Sequence, residues 1–210
     1  MKKIIFMLAA SVFCFQLAGL SQTRVGVSGG VAIANMKGQV EGDSRAGVIT
    51  GLRLETPIGR SFAFRPSISY VQKGQNQPPP GLVDKVYVAL RYAEFTTDFL
   101  YYIAGAKGGF FLGAGPSVAF NLPSKNISET NGVKTTTTVK FGKTTGFDMR
   151  GVDYGANFTS GWCTNGGAFI SLNYNRGFRN LVVEGDPGSL KNSYFGVQLG
   201  VFLNNGKSAK

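Results

Sequence analysis

Residues 109–122 alternate between large apolar and small side chains, which is the pattern of an extended strand with two different faces. Successive side chains of a strand point to opposite faces, so one face here is apolar throughout. Its members are Phe110, Leu112, Ala114, Pro116, Val118, Phe120 and Leu122, against Phe111, Gly113, Gly115, Ser117, Ala119 and Asn121 on the other. A continuous apolar face suits lipid, whereas a small face suits a crowded interior.

The same period of two recurs along the chain and predicts eight strands. They are residues 24–34, 45–55, 61–73, 86–101, 109–122, 150–160, 167–178 and 193–203. Long and short connections alternate, and the longest contains the β-prone run Thr135 to Thr138, which could prolong a hairpin beyond the membrane. Strands of about ten residues with such connections are typical of outer-membrane barrels. We therefore expect an all-β fold, a closed up-and-down antiparallel transmembrane β-barrel of about eight strands.

A soluble β-barrel or sandwich is the alternative, but it would show water a polar face. The second face here is Gly, Ala and Ser with scattered charges, which favours a lumen. Aromatic residues also recur near the predicted strand ends and indicate belts at the two headgroup levels. These are Tyr101, Phe110, Trp162 and Phe169 beside the short turns, and Tyr70, Phe120 and Phe178 near the long loops.

The first 21 residues have the pattern of a secretory signal peptide. Lys2 and Lys3 precede an apolar stretch, and small residues flank a cleavage site. We expect residues 1–21 to be removed, 22–204 to form the barrel and 205–210 to be a polar tail. Cleavage lowers the net charge from +11 to +9 and leaves Cys163 without an internal disulfide partner. The basic residues are spread along the chain, so we expect lipid headgroups and no nucleic acid as partners.

Catalytic chemistry has little support, because none of the 210 residues is His. Ser-His, Asp-His and His-ligated zinc sites are thereby excluded, and we expect no enzyme, no catalytic or metal site and no cofactor. Several charged residues point inward by phase and predict an ion-pair plug in a lumen that eight strands leave just wide enough for side chains. They are Arg53, Glu55, Arg65, Glu94 and Asp98, and the 57–61 turn would set Arg53 opposite Arg65.

Four lysines of the longest connection, Lys125, Lys134, Lys140 and Lys143, have two interpretations. They could meet lipopolysaccharide phosphates outside the membrane, or they could simply keep a loop solvated.

Five segments resemble the PorT-like outer-membrane β-barrel family of the Bacteroidetes. They are residues 25–30, 64–74, 111–116, 153–155 and 169–175, which read VGVSGG, FRPSISYVQKG, FLGAGP, DYG and FISLNYN. The resemblance implies a small porin-like barrel, mostly of eight strands. It also implies a possible role in type IX protein secretion, since the namesake takes part in that process.

Three functions remain open from the sequence. The first is a plugged barrel in the outer membrane with a structural or interaction role through its external loops. The second is an accessory subunit of a type IX-like secretion system, with secretion or envelope proteins as partners. The third is a narrow porin.

Overall fold

The computed structural model describes residues 23–38, 42–103, 105 and 108–203. The expected leader, 1–21, and the polar tail, 205–210, lie outside these residues. The strands are β1 (Arg24–Gly38), β2 (Asp43–Ile58), β3 (Phe62–Gln77), β4 (Lys85–Tyr102), β5 (Gly109–Thr130), β6 (Val133–Thr138), β7 (Val152–Cys163), β8 (Ala168–Gly177) and β9 (Leu190–Phe202). In the described part of the chain, no helix is long and apolar enough to cross a membrane.

The strands form one antiparallel sheet that closes on itself. Its order is β4-β3-β2-β1-β9-β8-β7-β5-β6, and β4 also pairs with β5, so eight strands make a ring and β6 stands outside it. The first and last strands of the ring meet along a seam that runs from Gly26 opposite Phe202 to Gly38 opposite Leu190. The predicted closed up-and-down barrel of about eight strands is confirmed.

The two faces of the wall match the predicted phase. Along β5, Leu112 is 48% exposed and Val118 is 37% exposed, whereas Phe111 between neighbouring outward residues is fully buried. The same alternation runs along β1, β8 and β9. The outward apolar residues of the wall therefore form a continuous surface for lipid, and the alternate residues fill the lumen.

Glycine on the inner face makes room for large side chains on neighbouring strands. A Cβ at Gly113 would lie 2.4 Å from the side chain of Leu100, and one at Gly200 would lie 2.2 Å from the ring of Phe169. These contacts are too close for any side chain to replace the glycine without movement. The high glycine content of the inner face is thus a packing requirement of a narrow barrel.

An apolar cluster lies at each end of the lumen. We call the end of the barrel with the short connections the turn end and the opposite end, with the long connections, the loop end. The cluster at the turn end contains Ala63, Leu100, Tyr102, Phe111, Cys163, Phe169 and Phe202. The loop end holds Met36, Val88, Leu90, Tyr92 and Ala119 together with Val139 and Met149. The last two belong to residues 139–151, which pair with residues 178–189 through Arg150 N–H to Leu181 C=O (2.8 Å) and Glu184 N–H to Lys143 C=O (2.8 Å). We name these two segments the loop cap.

Three strands continue past the wall at the loop end. Residues 85–89 of β4, 125–130 of β5 and all of β6 pair with one another, and we name them the protruding sheet. A β-bulge at Pro123 and Ser124 separates it from the wall, where Arg91 pairs with Leu122 but Ala89 pairs with Lys125. The Thr-rich run thus prolongs a hairpin, as its composition predicted.

Candidate functional site

Glu55 is the centre of a charged cluster near the turn end of the lumen. Its carboxylate is fully buried and accepts hydrogen bonds from Arg24, from Arg65 Nε at 2.8 Å and from Tyr102 Oη at 2.9 Å. The guanidinium groups of Arg24 and Arg65 also lie 4.4 Å from the ring centroids of Phe202 and Phe111. One carboxylate therefore binds two cations, and an aromatic ring lies against each guanidinium.

The register between β2 and β3 brings Glu55 and Arg65 together. Ile58 pairs with Phe62 across a three-residue connection that contains Gly59 at a φ of +66°. This connection sets Arg53 opposite Ser67, so the expected pairing of Arg53 with Arg65 is wrong by two residues. The displacement changes a repulsive pair into an attractive one, because Glu55 takes the place of Arg53 across from Arg65.

Arg53 lies one layer further into the lumen and binds neutral groups. Its Nη2 donates to Ser28 Oγ at 2.9 Å and to Gln198 Oε1 at 3.1 Å. Its guanidinium is also 4.4 Å from the ring centroid of Phe169. Ser28 donates in turn to Gln198 at 2.9 Å, so this layer links the first and last strands of the barrel.

The remaining two predicted acids lie at mid-lumen. Asp98 accepts two hydrogen bonds from Asn157 Nδ2, at 3.0 and 2.9 Å. Glu94 accepts a hydrogen bond from Tyr194 Oη and forms an ion pair with Lys73 Nζ at 2.7 Å. The Lys73 ammonium is also 5.1 Å from the ring centroid of Tyr194.

The structure therefore buries all five predicted inward charges but divides them among separate clusters. Sequence reasoning missed Arg24, Lys73 and Asp153, although the period of two puts each of them on the inner face. The described residues bury four basic and four acidic side chains: Arg24, Arg53, Arg65, Lys73, Glu55, Glu94, Asp98 and Asp153. Only about 20 Å³ of space is left between the groups around Arg53, Asp98 and Tyr194.

The predicted aromatic belt residues lie on the outside of the wall with one exception. Tyr101, Phe110, Phe120, Trp162 and Phe178 are 38–54% exposed, and Tyr70 is half-buried on the same outer face. Phe169 is only 4% exposed and packs against Phe202 inside the lumen, so its assignment to a belt is wrong. Its neighbours Ala168 and Ile170 point outward, which forces Phe169 inward.

The four lysines suggested as lipopolysaccharide contacts are all exposed at the loop end. Lys125 and Lys134 lie in the protruding sheet, and Lys140 and Lys143 lie in the loop cap. Lys134 Nζ is 3.9 Å from Glu129 and remains 63% exposed. Among the described residues, no group of three or more His, Cys, Asp or Glu side chains is placed to hold a metal ion.

Comparison with known proteins gives a family and two kinds of solved barrel. Neisserial surface protein A is 10% identical, with a TM-score of 0.46 over 84% of this chain and 96% of its own. Ail, the attachment invasion locus protein of Yersinia pestis, is 10% identical, with a TM-score of 0.44 over 85% of this chain and 99% of its own. Ail in complex with the heparin analogue sucrose octasulfate is 11% identical with the same TM-score of 0.44. No curated protein sequence matches this chain.

The family is shown by its sequence profile, which is described as the outer membrane protein β-barrel domain. It matches residues 16–183, well over half of the chain. The match covers the wall from β1 to β8 together with the protruding sheet. The protein is therefore integral to the outer membrane, and it belongs to the outer membrane β-barrel domain family.

Proposed function

We propose that this protein is a plugged barrel that holds its external loops at the cell surface for contact with a partner. In this proposal residues 1–21 are the removed leader, 22–204 the barrel and 205–210 a tail. The observation that carries it is the filled middle of the lumen, where buried charged and polar groups leave only about 20 Å³ around Arg53, Asp98 and Tyr194. A barrel in this state offers its loops, and not a passage, to its surroundings.

The opposing alternative of a narrow porin has an electrical test. Single-channel recording in planar bilayers is expected to give no steady current from the folded protein, since the loop cap, the buried charged groups and the apolar cluster at the turn end follow one another along the lumen. A large and steady current would contradict the plug and would make the porin the better proposal. The heat-denatured protein is the matched control for leakage.

Membership of the PorT-like group, with a role in type IX-like secretion, is the second candidate. The observation that favours it is the motif of residues 64–74, which supplies Arg65 and Lys73, the cations of two separate buried clusters. A deletion strain distinguishes the two candidates by the contents of its outer membrane and of its medium. Loss of secreted proteins supports the secretion role, whereas unchanged secretion supports a surface role.

Lipopolysaccharide is the proposed lipid partner of the loop end. Lys125, Lys134, Lys140 and Lys143 are exposed there and could neutralise its phosphates. Replacing all four by Gln is expected to weaken co-purification of lipopolysaccharide while leaving the barrel folded. Unchanged co-purification would assign these lysines to solvation alone.

A further inference from the structure

The outer edge of β6 is an open strand edge in the protruding sheet. β6 pairs with β5 from Val133 opposite Thr130 to Thr138 opposite Lys125, and it is the terminal strand of the sheet order. All six of its residues are exposed. The eight strands of the wall, by contrast, each have a neighbour on both sides.

The hairpin geometry shows which backbone groups face this edge. Asn131 and Gly132 form a two-residue turn with φ values of +51° and +77°, which is the geometry of a tight hairpin. Val139 N–H donates to Ser124 C=O at 3.0 Å in continuation of the ladder. Odd-numbered residues of this segment therefore bond to β5, and Lys134, Thr136 and Thr138 direct their N–H and C=O groups outward.

Proteins usually protect an exposed edge with proline, a bulge or several charges. β6 has neither proline nor a bulge, and only Lys134 is charged. Five of its six residues are Val or Thr, whose branched side chains favour the extended conformation. The edge is therefore already in the conformation that a further strand requires.

We propose that this edge binds an extended, acidic peptide segment of another protein, which adds to the protruding sheet as a further antiparallel strand. The proposal rests on the surface role above and names the partner of that surface. Backbone hydrogen bonds from Lys134, Thr136 and Thr138 supply the pairing. Charge complementarity selects an acidic segment, because the protruding sheet carries exposed Lys85, Lys125 and Lys134 against Glu129 as its one acid. Lys134 stays 63% exposed although its Nζ is 3.9 Å from Glu129.

A second copy in the same membrane is a poorer occupant of this edge. Barrel strands tilt by about 35–45° from the membrane normal, so a two-fold axis along the normal would cross two β6 strands at about 70–90°. Strands that cross at this angle cannot share a ladder. A segment of a different protein has no such constraint on its direction.

The test uses the full-length protein in lipid nanodiscs and two synthetic peptides. One peptide copies residues 125–130, KNISET, which already pair with β6 on its other side, and the second replaces its Lys by Glu. We expect saturable binding by fluorescence polarisation, tighter for the acidic peptide. Thr136→Pro removes one outward N–H, which an edge strand tolerates, and should weaken binding by about tenfold.

Thr136→Val is the matched control, since it keeps the N–H and is expected to bind as the unchanged protein does. Absence of saturable binding by both peptides, or equal binding by the Pro and Val variants, would overturn the proposal. A dimer that Thr136→Pro abolishes would overturn it in favour of a second copy. None of these results would produce a current in the single-channel recording, whereas failure of the plug would produce one. The two proposals can therefore be distinguished.

Discussion

Residues 109–122 and 125–130 belong to the same strand, β5, and share the neighbour β4, but the rest of their surroundings differs. The first part pairs with β4 and β7, carries apolar residues outward and, apart from Phe111, buries small residues inward. The second part pairs with β4 and β6 and is polar on both faces except at Ile127. The change falls at the bulge of Pro123 and Ser124, where a proline can interrupt a ladder.

The difference follows from the solvent. An unpaired backbone group in hydrocarbon has no water to bond, so every strand of the wall must have two neighbours. In water the same group is solvated, so the chain can end the protruding sheet with the open edge of β6. The comparison therefore predicts large effects for substitutions in the wall and small effects for matched substitutions in the protruding sheet.

The largest effect is expected for Glu55→Ala, because it leaves Arg24 and Arg65 buried without their carboxylate. Removing one partner of a buried ion pair costs about 3–5 kcal/mol. Denaturant unfolding in micelles measures this decrease in the free energy of unfolding. The matched control is Glu129→Ala, whose partner Lys134 is exposed, and it should change the unfolding free energy by less than about 1 kcal/mol. Equal losses for both variants would refute the comparison.

Val118→Arg should have the next largest effect. Val118 lies outward between Phe95 and Tyr154, and an arginine near the bilayer midplane costs about 2–4 kcal/mol. The unfolding free energy of Thr136→Arg, in the protruding sheet, should stay within about 0.5 kcal/mol of that of the unchanged protein.

Spin labels test the direction of the two faces. A spin label at Val118 should be relaxed by oxygen dissolved in lipid, while one at the inward Ser117 should be shielded. Greater oxygen access at Ser117 would mean that the faces are exchanged.

Gly115→Ala compares the two faces of the wall itself. A Cβ at Gly115 would lie 1.9 Å from the carbonyl oxygen of Thr97, whereas a Cβ at the outward Gly29 would have no heavy atom within 4 Å. Overpacking of this kind costs about 1–3 kcal/mol, so Gly115→Ala should destabilise and Gly29→Ala should not. Thermal unfolding of the two variants measures the difference, and an equal melting temperature would argue against this close approach of the β4 backbone to Gly115.

The smallest effect on the barrel is expected for Gly132→Val. Gly132 has a φ of +77°, where a branched residue is strained by about 1–2 kcal/mol. The strain should open the β5–β6 hairpin and raise amide exchange at Thr135 and Thr137. The unfolding free energy of the wall should stay within about 0.5 kcal/mol, since β6 lies outside the ring. Loss of the whole barrel would show that the protruding sheet supports the wall.

The period of two was sufficient to predict the strands, their lipid and lumen faces, and the inward direction of the charges. It could not predict which charges meet, because the pairing of Glu55 with Arg65 depends on a three-residue connection whose length no local pattern reveals. The position of Phe169 near a strand end predicts a belt residue, whereas its phase in the strand predicts the inward direction that the structure shows. For β6 the sequence indicates only a β-prone run. Its open edge depends on the order of strands in the sheet, in which β6 is the terminal strand.

The seam between β1 and β9 has a consequence for the order of assembly. The hydrogen bond from Ser28 to Gln198 joins residues that are 170 positions apart in the chain, and the bond from Arg53 to Gln198 spans 145 positions. Contacts between such distant residues form slowly, because the loop between them must close first. The layer that contains Arg53 can therefore be completed only when the last strand reaches the first. During refolding, a late shift in gel mobility would report that event.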